Sequence, residues 1–300
     1  MIGYSPAMSP ARFDEWLRDA ARAPLVMGVL NVTPDSFSDG GLFLDPGAAV
    51  AHAETMAREG ADVIDVGGES TRPGSRPVEA VEQVRRVVPV LRALRDRLSD
   101  TTLSVDTTRA EVAEAALAAG AHVINDISAG RDDPAMLPLA ARTGSPVILM
   151  HMLGAPATMQ IDPTYSDVTA EVAQFLRERL AAAVAAGVRP DRVLLDPGLG
   201  FGKTAEHNLQ LLRHTADLAA LGRPLVVGTS RKGFISKVLG LRDASRADTA
   251  GRVFGTAATV AWAVANGAAV VRVHDVGPIS QVVRMVRSII TGRTAEGRGH

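Results

Sequence analysis

Cysteine is absent from this chain of 300 residues. Its absence excludes disulfide bonds and thiolate metal sites, and it is typical of proteins in a reducing compartment such as the cytoplasm. An excess of charge of one sign is also lacking, because 32 basic residues nearly balance 33 acidic ones and leave a net charge of −1. This balance argues against an extended surface for nucleic acid or for an anionic membrane. Residues 1–22 contain no basic segment followed by an apolar one, so we expect no signal peptide.

Long hydrophobic runs are lacking, with one exception. The uncharged segment 253–271 is long enough to cross a bilayer. However, Asn266 and Gly267 interrupt it, and glycine, threonine and alanine dilute its hydrophobicity. We therefore predict a buried helix that ends at this Asn-Gly pair, followed by a buried strand.

Short apolar runs rich in β-branched residues recur along the chain and alternate with stretches of helical periodicity. The predicted strands are 25–32, 61–66, 102–106, 122–127, 146–151, 193–196, 224–229 and 268–275. Helices are predicted between them, for example over 48–58, 79–98, 109–119 and 168–186. This order predicts a parallel sheet that is covered on both faces.

Eight strand–helix units after an N-terminal helix match a closed (β/α)8 TIM barrel in number and in length. A doubly wound open sheet is the alternative, but it usually has fewer strands and a glycine fingerprint after the first strand, which is missing here. We therefore predict an α/β protein with a single TIM-barrel domain over residues 1–300. Residues 1–23 are expected to form an N-terminal helical extension, and residues 292–300 a flexible tail.

The active site of a TIM barrel lies at the C-terminal ends of its strands. Nearly every predicted strand ends here in side chains that carry charge or form hydrogen bonds. They occur at positions 31, 67–69, 106, 125–126, 150–151, 196, 230–232, 272, 274 and 275. Aspartate and asparagine also cap helices, but helix caps do not require the lysine, arginine and histidine that are present in this set.

Lysine is scarce, since all but three of the 32 basic residues are arginine. Two of the three, Lys203 and Lys232, lie in loops that follow predicted strands. This placement suggests that a compact ammonium group is needed there, although chance retention also accounts for it.

The last predicted strand carries an unusual charge. A strand period of two places Arg272 and His274 on one face, and Val271 and Val273 on the other. An arginine on an inner strand is costly unless it meets an anion. That anion is either a bound phosphate, which TIM barrels often hold near their last two strands, or a neighbouring carboxylate such as Asp275.

Two long polar loops follow the first and second predicted strands, over 31–41 and 67–75. Loops of this kind on a rigid barrel form lids and contacts to a second substrate. Phe37 and Phe201 lie amid glycine and aspartate. Each is either a ring that stacks on a ligand or an anchor for its own loop.

Together these segments resemble the dihydropteroate synthase family of pterin-binding enzymes. The matching stretches are GVLNVTPDSFSDGG at 28–41, DVGGESTRPG at 65–74, SVDT at 104–107, IND at 124–126, DPGLGFGK at 196–203, SRK at 230–232 and RVHDV at 272–276. They follow the family's order and span nearly all of the chain. The first two are long and specific, whereas the shortest ones are weak when taken alone.

The resemblance implies that 6-hydroxymethyl-7,8-dihydropterin diphosphate and 4-aminobenzoate form 7,8-dihydropteroate and diphosphate, through a dissociative step that leaves a pterin cation. The implied catalytic residues are Asp35, Asp39, Asp106 and Lys232. The implied pterin-binding residues are Asp106, Asn125, Met150, Asp196, Gly200, Phe201 and Lys232.

The resemblance also implies sites for the diphosphate and for the second substrate. The diphosphate would bind Asn31, Thr71, Arg72, Arg272 and His274, and Asn31 would also hold a Mg²⁺ ion. The 4-aminobenzoate would bind Phe37, Thr71, Arg72, Pro73 and Gly233. Some relatives have a hydroxyl residue at position 233, so here a backbone N–H would replace that contact to the carboxylate.

The resemblance implies a homodimer, and the composition favours the cytoplasm and argues against nucleic acid or membrane partners. Two other functions compete with the synthase. A methyltransferase on the same pterin-binding barrel is disfavoured by the intact first loop with Asn31, Asp35 and Asp39. A non-catalytic homologue is disfavoured because Lys232, Arg272 and His274 are retained.

Overall fold

A computed structural model describes residues 8–33, 46–70, 77–154, 158–241 and 249–294 of the chain. At its centre lies a closed barrel of eight parallel strands, in which each strand pairs with its neighbours along the chain and the last pairs with the first. The strands are β1 (Leu25–Asn31), β2 (Val63–Gly67), β3 (Thr102–Asp106), β4 (Val123–Asp126), β5 (Val147–Met150), β6 (Val193–Asp196), β7 (Leu225–Val227) and β8 (Ala268–Val273).

Helices surround the barrel and bury the outward-facing side chains of the strands in two apolar clusters. The helices are α1 (Pro10–Arg18), α2 (Pro46–Glu59), α3 (Ala80–Arg97), α4 (Ala110–Ala119), α5 (Met136–Thr143), α6 (Val168–Ala185), α7 (Ala205–Arg213), α8 (Thr215–Ala219), α9 (Gly233–Val238), α10 (Thr249–Ala265) and α11 (Val276–Thr291). A single 3-10 turn, Pro190–Arg192, precedes β6.

Helix α1 closes the N-terminal end of the barrel. It begins where the Ser9 side chain accepts a hydrogen bond from the Arg12 backbone N–H. Its Phe13 and Trp16 are buried in one cluster with inward-facing strand residues such as Met27. This apolar closure leaves the opposite end, where the strands end, as the place for a ligand.

The barrel interior changes from apolar to polar along the strands. Val63 and Val270 belong to the apolar cluster near the N-terminal end. Two residues further along β2 and β8, the next inward-facing residues are Asp65 and Arg272. Polar side chains therefore form the floor beneath the C-terminal ends of the strands.

The closed eight-stranded barrel confirms the predicted fold. The bounds of β3 and β6 agree with the predicted runs, whereas β7 is shorter than the predicted 224–229. The uncharged segment 253–271 divides as predicted, because α10 ends at Ala265, Gly267 has a left-handed φ of +95° and β8 begins at Ala268. The prediction of a buried helix is wrong for one face of α10, where Phe254 and Trp262 are exposed. The assignment of 1–300 to one domain, of 1–23 to an extension and of 292–300 to a flexible tail stays a prediction.

No helix in the described parts of the chain combines the length and the apolar character that spanning a bilayer requires.

Candidate active site

The C-terminal ends of the strands surround a cavity of about 540 Å³. Small-molecule pockets commonly measure about 300–1,000 Å³. The site residues implied by the resemblance all line this cavity where they lie in the described part of the chain: Asn31, Asp106, Asn125, Met150, Asp196, Gly200, Phe201, Lys232, Gly233, Arg272 and His274. The others lie outside the described residues: Asp35, Phe37, Asp39, Thr71, Arg72 and Pro73. Of the further strand-end positions, 230 and 231 also line the cavity, whereas 67–69, 126, 151 and 275 do not.

A buried ion-pair network forms the floor of the cavity. Arg272 donates from Nε to Asp65 Oδ2 and from Nη2 to Asp106 Oδ2, each over 2.7 Å. Asp65 Oδ2 also accepts a hydrogen bond from Nδ2 of Asn125 at 2.9 Å. Asp65 and Asp106 are both buried. The single charge of the guanidinium therefore compensates part of the negative charge of two carboxylates that water hardly reaches.

From the sequence, Asp275 is expected as a carboxylate partner for Arg272, and the structure contradicts this. Asp275 pairs instead with Arg231 over 2.7 Å. Asp275 lies beyond the end of β8, at the start of α11. Arg272 points into the barrel, where β2 and β3 supply the partners Asp65 and Asp106. Arg272 thus pairs with carboxylates, as one of the two alternatives expected, but these carboxylates belong to β2 and β3 and are far from Arg272 in the sequence.

Burial also shapes the protonation of the carboxyl groups that face the cavity. It raises the pKa of Asp106 to about 7, although the charge of Arg272 acts in the opposite direction and that of Asp65 in the same direction. Burial likewise raises the pKa of Asp196. Asp106 does not cap the helix that follows it, because the N-cap residue of α4 is Arg109.

A tight turn after β7 returns Lys232 to the cavity. The Lys232 backbone N–H donates to Thr229 O over 3.2 Å, and Arg231 between them has a left-handed φ of 60°, which is uncommon outside glycine. Nζ of Lys232 lies 3.9 Å from the centroid of the Phe201 ring, a cation–π contact. Burial and, to a smaller extent, the charge of Arg272 lower the pKa of Lys232 to about 8, against the opposing charges of Asp196 and Asp106.

His274 and Asn31 follow or end the neighbouring strands β8 and β1. The His274 backbone N–H donates to Ser230 Oγ over 3.2 Å. Asn31 lies beside Gly67, where a Cβ would be 3.7 Å from Asn31 Oδ1 and 3.5 Å from Asp106 Cβ. The missing side chain of Gly67 leaves a small space between an amide oxygen and a carboxylate.

This donor set fits a magnesium ion that is carried by a phosphorylated ligand. Among the described residues, no group of three or more histidine, aspartate or glutamate side chains is placed to hold a metal ion. Mg²⁺ often binds through one or two protein oxygens and completes its octahedral shell with phosphate and water. The hard oxygen of Asn31 suits that role.

Asp65 is the site residue that sequence analysis misses. The available signal is an acidic residue at an inward-facing position of a predicted strand, the same reasoning that selects Arg272. Lys203 stands out in the sequence because lysine is scarce and because it lies in a loop that follows a predicted strand. In the structure it also lines the cavity, and three acceptors surround its Nζ.

Comparison with known proteins agrees with this geometry. A family profile described as pterin binding enzyme matches residues 27–274. Dihydropteroate synthase from Synechocystis is 46% identical over 280 residues, which cover 93% of this chain and 95% of that protein. A structure of Xanthomonas albilineans dihydropteroate synthase with 4-aminobenzoic acid is 45% identical with a TM-score of 0.82, and the match covers 89% of this chain and 93% of that one. A structure of the same enzyme with 7,8-dihydropteroate is 43% identical with a TM-score of 0.79, at 89% and 94% coverage.

These matches extend over most of the chain, so the chain belongs to the pterin binding enzyme family. Within this family, its similarity to the Synechocystis and Xanthomonas enzymes places it among the dihydropteroate synthases. The resemblance seen in the sequence is confirmed. The individual roles of the site residues stay predictions.

Replacing Asp65 with asparagine tests the buried network. Asparagine keeps the size and one acceptor but removes the charge, which leaves Arg272 with a single carboxylate. We expect the Asp65→Asn variant to lose about 2–4 kcal/mol of unfolding free energy, measured by urea denaturation. The matched control is Asp275→Asn, which weakens the more exposed pair with Arg231 and should cost less than about 1 kcal/mol. Equal losses in the two variants would contradict a special role for the network.

Proposed function

We propose that the chain condenses 6-hydroxymethyl-7,8-dihydropterin diphosphate with 4-aminobenzoate to give 7,8-dihydropteroate and diphosphate. The enzyme is a transferase of folate biosynthesis. The observation that carries the proposal is a cavity in which carboxylate and amide acceptors face the cationic Lys232 and Arg272. The similar Xanthomonas enzyme supports it, since its structures contain 4-aminobenzoic acid and 7,8-dihydropteroate.

The pterin ring presents amide and amino N–H groups along one edge. Asp106, Asn125 and Asp196 supply acceptors for this edge. Because Nδ2 of Asn125 donates to Asp65, the amide oxygen of Asn125 is the atom left to accept from a ligand. The ring would contact the apolar cluster beside these acceptors, which contains Ile127, Met150, Met152, Met159 and Phe201. Gly200 and Lys232 would complete this subsite.

The diphosphate would lie at the ends of β8 and β1, against Arg272, His274 and Asn31. The hydrogen bonds of Arg272 to the aspartates use Nε and Nη2, so Nη1 would donate to a phosphate oxygen. Mg²⁺ held by Asn31 would neutralise negative charge on the diphosphate. These contacts would stabilise the leaving group as its bond to carbon breaks.

Loss of diphosphate from the exocyclic CH₂ leaves a positive charge that is delocalised into the pterin ring. The carboxylates of Asp106 and Asp196 would stabilise this charge in the buried cavity. The aromatic amine of 4-aminobenzoate is neutral at pH 7, so its attack on the exocyclic CH₂ requires no strong base. The nitrogen of the new C–N bond then loses one proton to the released diphosphate or to water. Rate enhancement would come from charge stabilisation, orientation of the amine and exclusion of water.

The second substrate would bind at the rim of the cavity. We assign its site to Gly233, at the start of α9, together with residues outside the described part of the chain. Those residues are Asp35, Phe37, Asp39, Thr71, Arg72 and Pro73. Asp35 and Asp39 would act in catalysis, and Thr71 and Arg72 would contact both substrates.

A diphosphate-release assay tests the proposed function. With the pterin diphosphate, 4-aminobenzoate and Mg²⁺, we expect one diphosphate released for each 7,8-dihydropteroate formed. Chelation of Mg²⁺ should lower the rate at least tenfold, because the leaving group then loses charge neutralisation. Pterin binding without any diphosphate release would contradict the proposal and favour a non-catalytic homologue.

The pH profile tests the charge of Lys232. Its pKa of about 8 means that the ammonium is lost as the pH rises through 8. We expect kcat/KM to fall above pH 8, because this charge no longer contributes to substrate binding. The Lys232→Arg variant keeps its charge over this range. Its kcat/KM should be lower overall but should not fall above pH 8. If kcat/KM falls near pH 8 in both enzymes, the titrating group is not Lys232.

We also propose that the enzyme acts as a homodimer in the cytoplasm. Helices α10 and α11 pack side by side. They expose large apolar side chains, among them Phe254 (79% exposed), Met285 and Ile289. Exposed apolar patches of this kind are typical of protein–protein interfaces. The absence of cysteine suits a reducing compartment.

Sedimentation velocity tests the proposed dimer. We expect the unmodified chain to sediment at twice the monomer mass, and Phe254→Asp to sediment as a monomer, because an interfacial carboxylate would be desolvated without a partner. The control is Val81→Asp on α3, another apolar side chain that is highly exposed. A monomeric wild-type chain at micromolar concentration would contradict the dimer.

A further inference from the structure

Lys203 is a buried lysine to which the proposed reaction gives no role. Burial lowers its pKa to about 7, against the opposing charge of Asp196, so a large share of the side chain is protonated near pH 7. Lys203 follows β6 and is 3% exposed. Its Nζ lies 2.9 Å from Nδ1 of His151 and 3.0 Å from the carbonyl oxygens of both Gly198 and Phe201. An ammonium group has three N–H donors, so each donor has a partner within the protein and none remains for a substrate.

His151 is a fixed acceptor for this ammonium. Burial and, to a smaller extent, the charge of Lys203 lower the pKa of His151 to about 3, so the ring is neutral near pH 7. Because an ammonium group can only donate, Nδ1 of this neutral ring is the acceptor. The ring packs edge-on against Phe175 with centroids 4.8 Å apart. The His151 backbone N–H also donates to Asp196 O over 2.9 Å. Packing and backbone contacts therefore fix His151 independently of Lys203.

The turn before Lys203 lies directly against the end of β5. Gly198 has a φ of +65°, and a Cβ there would be 1.8 Å from His151 O. Gly202 has a φ of +62°, and a Cβ there would be 2.4 Å from Leu153 O. Glycine is required at both places by conformation and by space. Such a turn directs backbone carbonyls inward, and Lys203 supplies their donor.

This turn carries two parts of the proposed pterin subsite. The Gly198 N–H donates to Oδ1 of Asp196 over 2.7 Å and so orients the carboxylate. The Phe201 ring contacts Nζ of Lys232. Because Lys203 binds the carbonyl oxygens of Gly198 and Phe201 themselves, it joins the segments that present both groups.

We propose that Lys203 is a positioning residue for the pterin subsite: its buried ammonium holds the turn that fixes the Asp196 carboxylate and the Phe201 ring. This role rests on the proposed function. Lys203 would act through the residues of the turn, because its N–H donors bind protein acceptors and not the substrate. The diphosphate subsite is independent of the turn, since Asp65 and Asp106 hold Arg272.

The variant Lys203→Met keeps the length of the side chain and removes its donors. Isothermal titration of the full chain would use two probes, 6-hydroxymethylpterin and inorganic diphosphate with Mg²⁺. We expect the Kd for the pterin to rise at least tenfold and the Kd for diphosphate to stay within twofold. A general loss of structure would weaken both.

Thr215→Val is the matched control for loss of a buried hydrogen bond. The Thr215 hydroxyl donates to Leu212 O over 2.7 Å at the start of α8, and Thr215 does not line the cavity. This variant should lower Tm and leave both Kd values within twofold. The comparison separates a positional effect from a loss of stability.

Two results would overturn the positioning role: an unchanged pterin Kd in Lys203→Met, or equal weakening of both probes. An unmodified chain that binds no pterin would overturn the proposed function together with it. If Lys203→Met does not fold, His151→Phe removes one acceptor and keeps an aromatic ring. That variant should then show the same selective loss, at least threefold for the pterin, and its absence would also overturn the role.

Discussion

The pairing of one arginine with two aspartates inside the barrel is the constraint on which the rest of the site depends. Arg272 comes from β8, Asp65 from β2 and Asp106 from β3, and their contacts are 2.7 Å long. The two carboxylates compensate the charge of Arg272 inside the barrel, and Arg272 in turn opposes the rise in the pKa of Asp106 that burial and Asp65 cause. The three strands must therefore keep one register, and this register sets the floor of the cavity.

The same pairing divides the cavity into two chemical regions. Asp106, Asn125 and Asp196 offer acceptors where a heterocycle with N–H groups would bind. Arg272, His274 and Asn31 lie at the C-terminal ends of the adjacent strands β8 and β1, where an anion would bind. A reaction that separates a cation from a diphosphate matches this division, because each developing charge meets groups of the opposite sign.

The sequence predicts the fold and those lining residues that lie at strand ends, because strand ends in a parallel barrel converge whatever the details of packing. It predicts that Arg272 faces inward and meets an anion, but it does not identify the partners. Asp65 and Asp106 lie 207 and 166 residues away, and only the barrel register brings them together. The contacts of Lys203 are also hidden, because two of its three acceptors are backbone carbonyls oriented by a turn with left-handed glycines.

The most direct test of this account is a crystal structure of the chain with the pterin diphosphate and Mg²⁺. We expect the N–H edge of the ring to bond to Asp106, Asn125 and Asp196. We also expect the diphosphate to contact Arg272 while this arginine still pairs with Asp65. A ring bound with its N–H edge away from these acceptors, or a diphosphate at another end of the barrel, would contradict it.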